Sequence, residues 1–258
     1  MIKTMTKNTK GIDRVAVISG STGYVGSAVA RKLAADGMKI AMLYHPASLE
    51  TAKVVLKSLP GSGHKAYCCD IEDAVQIAMT VKAIENDLGD IYVCVHAAGE
   101  KPERKQLLLS SIEDLRDQFK VNVFGSFNFL SACALRLKEH KRGVMIGITT
   151  AGVVVPSAAK SLGAYIPAKY AIQGMLTAFK EELKPYGVRV YSVAPGFMHG
   201  GMNSDIPKAF ADMIKEKSPT KTLASAEEVA NKISFLCSDK AADVTDLTIL
   251  LAPELSGS

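Results

Sequence analysis

Arg14-Val15-Ala16-Val17-Ile18-Ser19 runs directly into Gly20-Ser21-Thr22-Gly23-Tyr24-Val25-Gly26. The first stretch is β-branched and continuously apolar, as a strand covered on both faces requires. The second sets glycines at 20, 23 and 26, and helical spacing begins at Val25. Strand, glycine turn and helix in that order make a cradle for phosphate. The glycines let backbone approach a pyrophosphate, and the helix N-terminus presents unpaired N–H groups and a positive dipole end. Three spaced glycines alone say little, because turns collect glycine. Their position at a strand–helix junction gives them weight.

Outward from this unit, strand-length apolar runs alternate with helical segments. Further strands are expected at Lys39–Tyr44, His64–Cys68, Ile91–Val95, Gly143–Ile148, Arg189–Ala194 and Thr248–Leu251. Helices are expected at Val25–Asp36, Leu49–Leu59, Glu72–Leu88, Ser111–His140 (one long helix), Ala164–Tyr186 and Ala226–Cys237, with stop signals at Gly37, Pro60-Gly61 and Gly89. Right-handed crossovers then give an α/β fold: a Rossmann-type doubly wound parallel sheet of about seven strands with helices on both faces. No linker or repeat divides the chain, so one domain over residues 1–258 is expected, with a flexible polar tail over 1–11.

Bulk properties exclude several classes. The 258 residues are 48% hydrophobic and 22% charged, enough apolar material for a large core. The net charge of +5 is interleaved along the chain, with no basic stripe to suggest nucleic acid. Five cysteines (Cys68, Cys69, Cys94, Cys133, Cys237) form no CxxC pair and suit reduced thiols in a cytoplasmic protein, not a metal site or disulfide framework. No apolar run is long enough to span a bilayer.

In a sheet of this kind, ligands lie beyond the carboxyl ends of the strands. The second strand ends in Tyr44-His45-Pro46, without the carboxylate that would hold a ribose 2′-hydroxyl and repel a 2′-phosphate. That tilts the cofactor to NADP(H), leaving NAD(H) open. Asp70-Ile71 follows the third strand, where Asp70 is placed to meet the adenine amino group. His96-Ala97-Ala98-Gly99 ends the fourth as a floor of small residues. After the fifth come Thr149-Thr150 and then Tyr165-Ile166-Pro167-Ala168-Lys169, with Tyr165 and Lys169 four apart on one helix face. An ammonium beside a phenol is expected to lower its pKa, and such a tyrosine exchanges a proton with a carbonyl or alcohol oxygen. A Thr150 hydroxyl is suited to hold the same oxygen. Asn122 sits within a long apolar helix, either as a functional amide or as a satisfied core one.

Taken together these residues resemble the short-chain dehydrogenase/reductase family, over roughly Arg14 to Leu251, and most nearly its 3-oxoacyl-carrier-protein reductase-like branch. The glycine turn, Asp70, Ala98-Gly99, Asn122, Thr150, Tyr165 and Lys169 fall in the family's order, and Pro195-Gly196-Phe197-Met198 looks like its segment beside the nicotinamide. The resemblance implies a catalytic set: Tyr165 as acid/base, Lys169 tuning it and binding the ribose, Thr150 positioning the carbonyl, Asn122 keeping a helix kinked and relaying a proton. It also implies a homodimer or homotetramer built on the two long helices.

The chain departs from the pattern at several points. Tyr24 replaces the middle glycine of the turn, His96 and Ala97 replace two asparagines, Thr150 replaces serine, and Gly200 stands where a cofactor-contacting threonine is usual. The expectation is an NAD(P)-dependent oxidoreductase acting on a small carbonyl or alcohol, an apolar ketone or 3-oxoacyl group. A lid over residues 197–217 would present Phe197, Met198, Met202, Ile206 and Phe210, and Lys101, Arg104 and Lys105 would lie near the mouth. An epimerase or dehydratase on the same fold, and a dinucleotide-binding regulator without turnover, are the rival readings.

Overall fold

The computed structural model describes residues 14–255. The expected tail over residues 1–11 lies outside the described residues. Strands β1 (Val15–Ser19), β2 (Lys39–Tyr44), β3 (Lys65–Cys68), β4 (Ile91–His96), β5 (Gly143–Ile148), β6 (Val188–Pro195) and β7 (Thr248–Leu251) form one sheet in the order β3-β2-β1-β4-β5-β6-β7. Every neighbouring pair is parallel. The order reverses between β1 and β4, which opens a crevice at their carboxyl ends.

The helices are α1 (Tyr24–Ala35), α2 (Leu49–Lys57), α3 (Ala74–Leu88), α4 (Ile112–Phe119), α5 (Ser126–His140), α6 (Tyr165–Leu183), α7 (Lys208–Lys217) and α8 (Ala226–Cys237). Alternate strand residues feed two cores. Ala16 and Ile18 pack with Val29 and Leu33 of α1 and Val229 and Ile233 of α8. Val15 and Val17 pack with Ile77 of α3, Phe129 of α5 and Ile172 of α6. All five β1 residues are buried, and each such Val or Ile contributes about 1.5–3 kcal/mol.

Two expectations are corrected. The helix expected over Ser111–His140 is interrupted: a π-helical segment, Lys120–Gly125, separates α4 from α5. Hydrophobic spacing cannot register one extra residue in a turn, and such bulges gather at functional sites. The lid contains a helix, α7, in which Phe210 and Ile214 stand one turn apart and both face the cavity described below.

Candidate active site

Gly20 carries the turn between β1 and α1. Its φ is +65°, and a Cβ there would lie 2.5 Å from the Ala98 nitrogen, so only glycine fits. The close approach welds the ends of β1 and β4: Ala97 N donates to Ser19 O at 3.2 Å and Ala98 N to Ser19 Oγ at 3.4 Å. Helices α3, α4 and α8 begin with the capping side chains Asp73, Ser111 and Ser225. Helix α1 begins at Gly23 with no side-chain cap, which suits its leading N–H groups to an anion.

A cavity of about 1210 Å³ opens there. It is lined by Gly20, Thr22, Gly23, Tyr24, Val25 and Gly26, then by His45, Asp70, Ile71, Ala97, Ala98 and Gly99. It continues past Thr150, Tyr165 and Lys169 to Pro195, Gly196 and Met198. Three candidates lie elsewhere. Ser21 is buried and donates from Oγ to Leu43 O at 2.9 Å, a bond that holds the turn to β2. Tyr44 closes β2 without lining the cavity, and Asn122 is fully buried behind the wall. The glycine cradle and open helix end fit a dinucleotide.

At the β2 end, His45 Nδ1 accepts from Ala47 N at 3.2 Å, and its Nε2 lies 4.0 Å from Asp70 Oδ2. Asp70 Oδ1 accepts from Glu72 N at 2.9 Å. Leu43, Cys69 and Glu72 complete this corner, and the sequence reading missed all three. They flank the predicted residues by one or two positions, so strand ends alone would have found them.

At the other end, Pro167 sits in the first turn of α6, where its missing N–H costs nothing. Lys169 Nζ lies 5.4 Å from the centre of the Tyr165 ring and donates to Ile148 O at 3.2 Å. Burial pulls the Lys169 ammonium down to about 8. Burial also pushes the Tyr165 phenol above its ordinary value. Here the structure differs from the expected lowering: desolvation outweighs the ammonium at this separation. Thr149 buries its hydroxyl against Ser192 Oγ at 2.8 Å, leaving Thr150 as the threonine whose hydroxyl is not spent on the core.

Asn122 lies in the π-helical segment. Its Oδ1 accepts from Glu100 N at 3.1 Å, and its Nδ2 donates to Gln118 Oε1 at 2.9 Å. A Cβ on Gly99 would come within 2.8 Å of Asn122 Oδ1 and 3.5 Å of Lys169 Nζ. Asn122 and Lys169 therefore both pack against Gly99.

On the substrate side, Phe197, Met198, Met202, Ile206 and Phe210 all line the cavity, and the Phe197 and Phe210 rings meet edge to face at 6.2 Å. Of the three expected mouth cations, Lys101 is paired with Asp205 at 2.8 Å, and Lys105 with Asp114 and with Glu103 at 3.4 Å. Arg104 lines the cavity and donates to Asn203 Oδ1 at 2.6 Å. Lys160, Leu162, Ile214 and Leu255 also line it. Lys160 and Leu162 come from the segment before α6, Ile214 from α7 in the lid and Leu255 from the segment after β7.

Residues 22–251 match the family model described as Enoyl-(Acyl carrier protein) reductase. The chain is 30% identical over 254 residues to L-2,3-butanediol dehydrogenase of Corynebacterium glutamicum, covering 93% of this chain and 97% of that protein. It is 23% identical over 240 residues to the 3-oxoacyl-[acyl-carrier-protein] reductase FabG of Staphylococcus epidermidis, covering 92% and 97%. Among solved structures, levodione reductase superposes with a TM-score of 0.86 at 23% identity, over 95% of this chain and 98% of that one. NAD+-bound xylitol dehydrogenase superposes at 0.84 and 24%, over 93% and 98%. These structural likenesses show the fold. The matched family model and the butanediol dehydrogenase relative show more: this chain belongs to the short-chain dehydrogenase/reductase family of oxidoreductases.

Proposed function

We propose that the protein is an NADP(H)-dependent reductase of apolar ketones, 3-oxoacyl groups among them, working through Tyr165, Lys169, Thr150 and Asn122. The observation that carries this reading is the buried pairing of Tyr165 with Lys169 on the wall of a cavity that continues into the glycine cradle. The nicotinamide, when bound, supplies or takes up the hydride. The glycine turn and the N-terminus of α1 would hold its pyrophosphate, Asp70 and Ile71 the adenine, Ala97–Gly99 the adenosine ribose, Lys169 the nicotinamide ribose, and Pro195, Gly196 and Met198 the ring.

Tyr165 donates its phenolic proton to the carbonyl oxygen as charge develops there, and takes it back in the alcohol direction. Burial holds the phenol protonated at neutral pH, the form reduction needs. Lys169 is still mostly an ammonium at neutral pH, and it offsets the charge left on the phenolate. Thr150 donates a hydrogen bond to the same oxygen. Asn122 braces the loop after β4 through its bond from Glu100 N.

NADP(H) is favoured over NAD(H) because β2 ends without a carboxylate and turns His45 to that corner. The apolar lid favours an apolar ketone. Exposed Phe124, Phe127 and Leu135, from the π-helical segment and α5, favour a homodimer or homotetramer. No helix among the described residues is long and apolar enough to cross a membrane. The test is a titration with NADPH and NADH, followed by a carbonyl panel with the tighter one. Micromolar binding with turnover of an apolar ketone is expected. Binding of neither dinucleotide would overturn the reading.

A further inference from the structure

His96, the last residue of β4, is wholly buried and lines no part of the cavity. Its two ring nitrogens are nonetheless both engaged. Nδ1 lies 2.8 Å from Ser19 Oγ at the end of β1, and Nε2 lies 2.7 Å from Ser126 Oγ in the first turn of α5. Ser126 Oγ in turn lies 2.7 Å from the carbonyl oxygen of Asn122. At the other end Ser19 Oγ accepts from Ala98 N at 3.4 Å. Ser19, His96 and Ser126 have essentially no exposure, so their polar atoms are expected to find partners within the protein.

Donor counting fixes the direction of this chain. A carbonyl oxygen only accepts, so the bond to Asn122 takes the single hydroxyl proton of Ser126. Ser126 Oγ must then accept from His96, which places the imidazole proton on Nε2. Nδ1 is left with a lone pair and accepts the hydroxyl proton of Ser19, whose oxygen is free to receive Ala98 N–H. Burial, with the Lys169 ammonium adding to it, holds the imidazole down to about 3, so the ring stays neutral. The opposite tautomer would direct the Ser126 proton to Nε2 and leave the Asn122 carbonyl without it.

The geometry points to His96 as a positioning residue: as the neutral Nε2–H tautomer it ties the Ala97–Gly99 floor of the dinucleotide cradle to the π-helical turn that carries Asn122. The two ends are independent pieces of the proposed machinery, and His96 lies between them. Its action on catalysis rests on the reductase reading above; its tautomer does not. Asn122 is therefore gripped twice, through its side chain by the loop after β4 and through its carbonyl by Ser126. Loosening the carbonyl should displace the Gly99–Asn122–Lys169 packing.

Imidazole nitrogen NMR on the intact protein, selectively labelled at histidine, tests the tautomer without substrate. The histidine signal that His96→Gln removes should show a protonated Nε2 and a bare Nδ1, unchanged from about pH 5 to about pH 9, a range an ordinary histidine titrates within. An Nδ1–H tautomer, or titration in that range, overturns the assignment. Ser126→Ala and His96→Gln then test the positioning role. Loss of one such bond by Ser126→Ala should lower kcat about tenfold, with KM for the ketone and Kd for the dinucleotide within about twofold. His96→Gln keeps a donor at the far end of the side chain and should retain more of kcat than His96→Asn, which is too short to reach Ser126. Equal kcat for Ser126→Ala and the parent, or equal loss for His96→Gln and His96→Asn, overturns the positioning role. A protein that shows the tautomer but turns over no ketone would contradict the reductase reading instead.

Discussion

The ring of Tyr24 lies against the backbone of Gly201 at the head of the lid: a Cβ added to Gly201 would stand 2.6 Å from Tyr24 Cβ. Gly200 abuts the same ring, with an added Cβ 3.1 Å from Tyr24 Cζ. Two departures from the family pattern are thus one contact. A bulky residue in the glycine turn is accommodated by glycine in the lid.

This contact makes a prediction about coupling. Gly201 has φ +56° and no room for a side chain, so Gly201→Ala should destabilise the fold by about 1–3 kcal/mol and raise the ketone KM severalfold. Tyr24→Gly removes the clashing Cβ. In that background Gly201→Ala should cost at least about 1 kcal/mol less, as read by thermal unfolding of the four proteins of a double-mutant cycle. Additive costs would show that the two residues do not meet.

Cofactor preference should be decided at the β2 end. His45 faces that corner with Asp70 Oδ2 4.0 Å from its Nε2. His45→Asp places a carboxylate where a 2′-phosphate would lie, and should weaken NADPH by about tenfold or more while leaving NADH unchanged or tighter. Equilibrium titration with both dinucleotides checks this. Equal loss for the two would remove the 2′-position from the argument.

The rate should carry an alkaline limb from Lys169. Its folded pKa of about 8 lies below the ordinary lysine value of 10.5, so the ammonium is present below about pH 8 and lost as pH rises through it. Activity that needs this charge therefore falls above about pH 8, and kcat/KM reports the group before substrate binds. Lys169→Met should lose most activity and the limb with it. A flat profile to pH 10 would show that the charge is not used.

Much of the fold was legible because parallel strands covered on both faces write themselves as unbroken apolar runs, as Val15–Ile18 does. The kink at Asn122 was legible only through the family resemblance, and its π-helical form was not, since hydrophobic spacing does not register an extra residue in a turn. Tyr165 and Lys169 were legible through their four-residue spacing. The Tyr24–Gly201 contact and the inward turn of Leu255 depend on tertiary packing between distant segments, and neither has a local signature. Arg104 was legible only as one of three cations; that Lys101 and Lys105 are paired with carboxylates needed the structure.

The central claim is that Tyr165 moves the proton in a nicotinamide-dependent carbonyl reduction. Its most direct test compares the parent and Tyr165→Phe in single-turnover oxidation of bound NADPH by an apolar ketone, with dinucleotide affinity and thermal unfolding measured on the same samples. The account predicts unchanged affinity and stability, and a chemical step slower by at least about a hundredfold in the phenylalanine variant. An equal rate in the two proteins would contradict it.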